Sequence, residues 1–234
     1  MLLAIDTSTS LVGAACLDAG AVLSEVVERD ARRHGELLAP TIAAALEQAG
    51  CGPRDLDSVA VGVGPGPFTG LRVGITTALV MARALNVPVV GVCSLDALAW
   101  EVHQMLSVAD VVGDATPEFL VATDARRKEV YWARYVRQDA QLSRLGAPAV
   151  ARSADLPRHL RAVPAYGQGT VLYPDDFYAQ PAHRDVRPGS VGQCAVDASW
   201  RMPPEPLYLR RPDAVASAAG PATARVGGPE QASS

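Results

Sequence analysis

A glycine-rich segment, VGVGPGPFTGLRVGITTAL at residues 61–79, lies where a strand-like run gives way to a helix-like one. Turns of this kind often hold phosphates, because their backbone N–H groups point at the phosphate oxygens. A Walker loop is excluded here, since no lysine follows Gly70, and the dinucleotide spacing G-x-G-x-x-G is missed. Pro65 and Pro67 contribute no N–H donors. The segment therefore predicts a stiff, close-packed turn rather than a phosphate cradle.

A hydroxyl-rich turn, IDTSTS at residues 5–10, begins with the apolar Ile5 and the carboxylate of Asp6. It resembles the hairpin of actin-like ATPases that approaches the β- and γ-phosphates, where the aspartate organises magnesium. An ordinary polar hairpin is the alternative interpretation. A second short motif, GQG at 167–169, is placed to approach an adenosine. The candidate vestigial nucleotide-binding residues are Asp6, Thr7, Ser8, Gly167 and Gly169.

Histidine and cysteine residues form no predicted catalytic cluster. His34 is followed by Glu36, but Leu38 stands where a zinc-protease motif would have its second histidine. The four cysteines are far apart and form no C-x-x-C pair, which is typical of buried thiols in a reducing compartment. They are Cys16, Cys51, Cys93 and Cys194. We expect no catalytic residue and no metal site in this chain.

Apolar periodicity predicts the elements that position these segments. The expected strands are about 2–6, 11–17, 21–28, 58–63 and 87–92, and the expected helices about 35–49, 70–85 and 94–106. Gly50 is the expected C-cap of the first helix and Thr69 the N-cap of the second. Strands that alternate with helices indicate parallel pairing, so the first half predicts a mixed α/β sheet with an antiparallel hairpin edge.

The pattern weakens at 107–117 and then restarts. Strands are expected at 118–126 and 129–137, a helical segment at 153–161, and a short strand running into a glycine turn at 163–170. We predict a first lobe at 1–107, a smaller second lobe at 108–212, and a disordered tail at 213–234, whose small polar residues show no periodicity.

The predicted helix at 70–85 is apolar or small around most of its circumference. Its polar residues Arg72, Thr76 and Arg83 fall on one narrow stripe. Such a helix is buried on more than one side. Either internal packing or another chain covers the side that faces away from its own sheet.

Composition describes a globular protein with an acidic balance. The 234 residues are 49% hydrophobic and carry a net charge of −4, which disfavours an autonomous nucleic-acid binder. The N-terminus has no basic region before its apolar run, and the charge-free helical stretch 73–82 is too short for a bilayer. We therefore expect a cytoplasmic location and no membrane association.

Five segments together resemble the TsaB family, bacterial proteins of tRNA threonylcarbamoyladenosine biosynthesis once grouped with glycoproteases. They are LLAIDTST, GVGPGPFTGLRVGI, VPVVGVCSLDALA, TDARRKEVYWARY and PEPLYLRRP, and they follow one another from residue 1 to about 212. One departure is Pro67, where the family's loop usually has serine. That change removes a hydroxyl and an N–H donor, and it weakens any ligand role for the loop.

The resemblance implies an α/β, actin-like ATPase (ASKHA, ribonuclease H-like) fold, with two lobes that each contain a mixed sheet flanked by helices. It also implies a non-catalytic subunit that binds and activates TsaD, which transfers threonylcarbamoyl to the adenosine beside the tRNA anticodon. TsaD has two metal-binding histidines where this chain has Ser94 and Leu98, and Asp96 alone cannot hold a catalytic metal. Whether the isolated chain is an enzyme stays open, with "no" the expected answer.

The family also implies partners and a docking surface. TsaD and the ATPase TsaE are the expected partners, and tRNA is contacted mainly through TsaD. Whether the chain forms a homodimer without them stays open. No tightly bound cofactor is expected, and any binding of ATP with magnesium is expected to be weak. Helices 35–49 and 70–85 are the implied dimerisation surface. The residues predicted to form it are Leu38, Ile42, Ala45, Leu71, Gly74, Ile75 and Ala78.

Two other functions compete with this interpretation. An independent ATP-dependent kinase of the actin-like superfamily would need a second aspartate–glycine hairpin, but Asp124 is followed by Arg126 where glycine is expected. A metalloprotease lacks both metal ligands and a nucleophile.

Overall fold

The computed structural model describes residues 1–30, 33–106, 118–138, 141–179 and 185–210. The predicted lobe boundary at 107 and the predicted tail at 213–234 lie outside these ranges. In chain order the elements are β1 (Leu2–Asp6), β2 (Leu11–Asp18), β3 (Ala21–Arg29), α1 (His34–Gln48), β4 (Ser58–Gly62), α2 (Phe68–Leu85), β5 (Val89–Val92), α3 (Ser94–Met105), β6 (Glu118–Asp124), β7 (Glu129–Gln138), β8 (Gln141–Arg152), α4 (Arg158–Arg161), β9 (Pro164–Tyr166), α5 (Gln168–Leu172), β10 (Tyr178–Ala179), α6 (Pro188–Val196) and β11 (Arg201–Met202).

The first sheet has the strand order β11-β5-β4-β1-β2-β3. β1 pairs antiparallel with β2, placing Ala4 opposite Ala15, and parallel with β4, placing Ala4 beside Ala60. Helices cover both faces, with α1 and α2 on one and α3 and α6 on the other. A sheet buried on both faces explains why these strands are apolar runs rather than alternating ones.

The second sheet has the order β10-β9-β6-β7-β8. β6, β7 and β8 form an antiparallel meander, and β9 adds to β6 in parallel. The register between β7 and β8 shifts between Trp132 and Arg134, which is a bulge in that pair. Two lobes with mixed sheets of this topology make up an actin-like α/β fold, as expected.

The chain returns to the first sheet near its C-terminal end. α6 contacts β1, β2 and β4, and β11 pairs antiparallel with β5. The predicted second-lobe range of 108–212 therefore includes residues that pack with the first lobe. α6 and α3 together cover one apolar face of the first sheet. Gly192 allows the close approach of α6, since a Cβ there would lie 2.4 Å from the Leu17 side chain.

The hydrophobic core is continuous between the lobes. One cluster joins Ala4 and Leu17 of the first sheet to Phe119 and Tyr135 of the second through the buried side chains of α3. A second cluster lies under α1 and α2, and a third lies within the second sheet. The two lobes thus share apolar contacts around α3.

The helix ends agree in part with the sequence expectations. Gly50 has φ +67° directly after the end of α1, as a C-terminal glycine should. Thr69, however, lies inside α2, and Pro67 occupies the N-cap position without a side-chain cap. Thr69 as N-cap was therefore wrong. Proline at 67 fixes the extended backbone that leads into the helix.

Candidate functional site

A cleft of about 350 Å³ opens between the two lobes. Its first wall comes from the end of the hydroxyl turn, from α1 and from the glycine loop, and its second from the β6–β7 turn, from α5 and from the segment after β11. The lining residues are Thr9, Ser10, His34, 66–68, 123–127, Tyr131, Gln168 and 208–210. Its volume is in the range of small-molecule sites.

The first residues of the hydroxyl turn, up to Ser8, are folded away from this cleft. Asp6 is buried, and its Oδ1 accepts hydrogen bonds from the backbone N and the hydroxyl of Ser8, at 2.9 and 2.8 Å. Its Oδ2 accepts from the Ser94 hydroxyl at 2.9 Å. Asp6, Thr7 and Ser8 are not among the cleft-lining residues. Because Asp6 is buried and does not line the cleft, its carboxylate is not placed to hold a magnesium ion carried by ATP there.

Burial also sets the ionisation of Asp6. Desolvation raises the pKa of this carboxyl to about 6, against the lowering effect of its hydrogen bonds to Ser8 and Ser94 and of the nearby His34. His34 is itself buried, with its Nε2 3.0 Å from the carbonyl oxygen of Thr9. These groups tie the turn to its surroundings.

The glycines of the loop serve this packing. A Cβ at Gly66 would lie 2.2 Å from the Ser8 carbonyl oxygen, and one at Gly74 would lie 2.3 Å from the Thr7 hydroxyl. The Thr7 hydroxyl donates to the carbonyl oxygen of Gly70 at 2.7 Å. The loop therefore closes on the hydroxyl turn, in agreement with a close-packed turn rather than a phosphate cradle.

The GQG motif also turns inward. Gly167 has φ +103°, and a Cβ there would lie 2.4 Å from the Ala122 carbonyl oxygen and 2.9 Å from Leu98. Gly169 is buried against Val130 and Ala122. Of the three motif residues, Gln168 alone lines the cleft. Of the five candidate nucleotide-binding residues, none faces the cleft.

The two positions that the resemblance aligns with metal-binding histidines of TsaD hold side chains with structural contacts. The Ser94 hydroxyl accepts from the Gly64 backbone N at 3.1 Å while donating to Asp6. Leu98 is fully buried in the core between the lobes. In the described part of the chain, no group of three or more histidine, cysteine, aspartate or glutamate side chains is placed to hold a metal ion.

The predicted docking residues lie on the inner faces of α1 and α2. All seven are buried within the monomer, where they pack on the first sheet and between the helices: Leu38, Ile42, Ala45, Leu71, Gly74, Ile75 and Ala78. They are core residues and cannot themselves form an exposed surface. The apolar periodicity predicted the two helices, but the residues chosen for the docking surface lie on the helix faces that pack on the sheet.

The outer faces of the same helices carry exposed apolar side chains beside polar ones such as Arg72, Thr76 and Arg83. On α2, Leu79 is 41% and Val80 62% exposed, and Val73 and Met81 are half-buried. On α1, the exposed positions include Ala39, Pro40 and Ala43. Within the described ranges, α2 is the one helix long and apolar enough to cross a membrane, a test that core helices of soluble proteins also meet. We call this surface the outer helix face.

A basic turn with unusual backbone geometry lies at the cleft mouth. Arg126, Arg127 and Lys128 have φ values of 61°, 55° and 62°, which is the left-handed region normally left to glycine or asparagine. This conformation costs a residue with a side chain about 1–2 kcal/mol. Three consecutive residues with long side chains therefore have a left-handed backbone, which their residue types do not favour. We call residues 126–128 the basic turn.

Comparison with a family model identifies most of the chain. Residues 21–166 match the model described as TsaD: tRNA N6-adenosine threonylcarbamoyltransferase. An uncharacterized protein of Mycobacterium tuberculosis strain H37Rv is 43% identical over 219 residues, covering 91% of this chain and 93% of that protein.

Proteins with functional names are more distant. The tRNA threonylcarbamoyladenosine biosynthesis protein TsaB of Bacillus subtilis is 32% identical over 144 residues, 62% of this chain and 58% of that protein. The crystal structure of YeaZ from Pseudomonas aeruginosa superimposes with a TM-score of 0.73 at 29% identity, over 89% of this chain and 99% of that one.

Proposed function

The chain belongs to the TsaB family, and on this premise we propose that it is a non-catalytic subunit that binds and activates TsaD in tRNA threonylcarbamoyladenosine biosynthesis. The observation that carries the proposal is the outer helix face, where large apolar side chains of α2 meet solvent. An exposed apolar surface of this kind is typical of a protein interface. TsaD is the proposed occupant, and TsaE the third component.

The cleft geometry supports a non-catalytic role. A subunit that transferred phosphoryl or threonylcarbamoyl groups through magnesium would need accessible carboxylates or histidines. Of the cleft-lining groups, the Asp124 carboxylate is ion-paired with Arg126, and the His34 ring contacts the Thr9 carbonyl oxygen. Asp6 is hydrogen-bonded to Ser8 and Ser94 away from the cleft, and Leu98, at one of the positions that the resemblance gives to a histidine, has no donor atom. We propose that the cytoplasmic complex relies on TsaD for these groups.

The test compares two valine-to-arginine variants in co-purification with TsaD. Val80→Arg places a charge on the outer helix face, whereas the control Val171→Arg places the same charge at a valine of α5 that is 46% exposed. An unpaired cation at the centre of an apolar interface opposes binding. We expect Val80→Arg to lose TsaD and tRNA modification, and Val171→Arg to keep both. Equal retention by the two variants would contradict the proposal.

An independent ATP-dependent kinase is the second candidate, because the cleft is large enough for a small ligand. The bonded state of Asp6 opposes it. Isothermal titration of the isolated chain with ATP and magnesium separates the candidates. Weak or undetectable binding is expected of the subunit, and tight binding with turnover would favour the kinase.

A further inference from the structure

We propose that the basic turn binds the phosphodiester backbone of RNA, so that this chain contacts the tRNA directly. The inference rests on the proposed function for the identity of the RNA, and on the turn itself for the contact. It departs from the sequence expectation that tRNA is held mainly through the partner.

Hydrogen bonds hold the backbone of the basic turn in place. Ala125 N donates to the Glu129 carbonyl oxygen at 3.0 Å, and Glu129 N donates to that of Arg126 at 2.9 Å, which closes the hairpin. The Arg126 backbone N donates to the Asp124 carboxylate at 2.7 Å. This fixed backbone directs three consecutive long side chains to solvent, and the Arg126 side chain is 68% exposed.

The backbone conformation argues for function. Glycine or asparagine would fill left-handed positions without strain, yet this chain has arginine, arginine and lysine there. Strained residues held in place by surrounding hydrogen bonds are concentrated at functional sites. All three residues are exposed, so their cationic groups are accessible from solvent.

The charge around the turn is positive although the whole chain is acidic. Residues 124–129 and Arg210 carry four cations and two carboxylates. The carboxylates of Asp124 and Glu129 are ion-paired with Arg126 and Arg210, and Arg210 also donates to the Ala125 carbonyl oxygen at 2.7 Å. They brace the turn, and these residues together carry two more cations than carboxylates.

The same features favour an extended polyanion over a mononucleotide. A nucleotide site would use buried donors and the hydroxyl-turn carboxylate, whereas here Asp6 is sealed and the cations are exposed at the rim. Exposed cations on a surface suit the spaced phosphates of a nucleic-acid strand, which are contacted without regard to sequence.

The experiment measures binding of unmodified tRNA by fluorescence anisotropy at several salt concentrations, with the chain alone and with its TsaD complex. The test variant is Arg127→Asn/Lys128→Asn, because asparagine tolerates the left-handed backbone and Arg126 still pairs with Asp124. The control is Arg54→Gln/Arg158→Gln, which removes two cations from exposed positions elsewhere.

We expect the test variant to bind tRNA at least roughly tenfold more weakly at about 0.1 M salt. We also expect the plot of log affinity against log salt concentration to become shallower, with the magnitude of its negative slope smaller by about 1.5–2, as the loss of two phosphate contacts should cause. The control should stay within about twofold of wild type. An unchanged affinity in the test variant, or equal losses in both, would overturn the inference.

Two further measurements separate the alternatives. If ADP or inorganic phosphate binds in a turn-dependent way while tRNA does not, the assignment to RNA is overturned. TsaD co-purification and reconstituted tRNA modification by the wild-type chain test the proposed function itself. A failure there, with turn-dependent RNA binding intact, would count against the proposed function and leave the RNA contact standing.

Discussion

Arg144 on β8 donates from one guanidinium nitrogen to both carboxylate oxygens of Asp96 on α3, at 2.8 and 2.6 Å. The Tyr135 hydroxyl donates to the same carboxylate at 2.6 Å. Burial raises the pKa of Asp96, although Arg144 and Tyr135 act to lower it. A helix of the first lobe is thus joined to two strands of the second by a phenol and by an ion pair between the buried Asp96 and the partly exposed Arg144, beside the core that the lobes share.

Arg144→Met is expected to destabilise the protein by about 2–4 kcal/mol, because it leaves the Asp96 carboxylate buried without its cation. Partial exposure of Arg144 places the effect at the lower end of that range. Urea denaturation measures it, with Arg158→Met, at an exposed arginine of α4, as the control. A variant as stable as the control would show that the ion pair does not hold the lobes together.

Stability between pH 4 and 6.5 is expected to depend on Asp6. Its pKa of about 6 in the folded chain exceeds the ordinary value of 3.8, so the folded state keeps a proton that the unfolded state releases. The contribution of this group to stability is present at low pH and is lost as pH rises through about 6. The free energy of unfolding is expected to fall by about 3 kcal/mol over this range. Asp6→Asn lacks this titration.

The measurement is the free energy of unfolding of wild type and Asp6→Asn at several pH values. The amide introduced by the substitution cannot ionise, so the stability of the variant relative to wild type should increase from pH 4 to 6.5. Groups common to both proteins cancel in that difference. Parallel curves for the two proteins would mean that Asp6 does not titrate in this window.

The sequence was informative where an element is long and periodic. β1 to α3 were predicted within a few residues, because each is a clear apolar run or a helical repeat. β8 was missed, since its segment QLSRLGAPAVAR contains glycine and proline and does not alternate. α6 was missed because PGSVGQCAV is short and has two glycines. Tertiary contacts with the first sheet stabilise it instead.

The site was harder to predict for a different reason. Residue types showed that α2 is apolar around most of its circumference, but not which side its own sheet would cover. Asp96 and Arg144 are 48 residues apart, and no local pattern connects them. The strained backbone of the basic turn likewise has no signal in DARRKE, because propensity would place glycine or asparagine there.

Gly74→Ala is expected to destabilise the protein by about 1–3 kcal/mol, because the added methyl would meet the Thr7 hydroxyl at 2.3 Å. Gly35→Ala is the matched control in α1, where a Cβ meets nothing within 4 Å. Alanine is the better helix former, so the control should be neutral or stabilised by up to about 1 kcal/mol. Thermal and urea unfolding of both variants measure the difference. Equal effects would mean that α2 does not pack tightly on the hydroxyl turn.

Without TsaD, the outer helix face is expected to pair with itself, because leaving Leu79 and Val80 in water forgoes the free energy of burying them. Light scattering after gel filtration should then show a wild-type dimer that dissociates on dilution. Val80→Arg should be monomeric at the same concentration, since two-fold pairing would bring two like charges together, whereas Val171→Arg should resemble wild type. A Val80→Arg protein that dimerises as strongly as wild type would place the self-association on another surface, and the outer helix face would then have TsaD as its only proposed occupant.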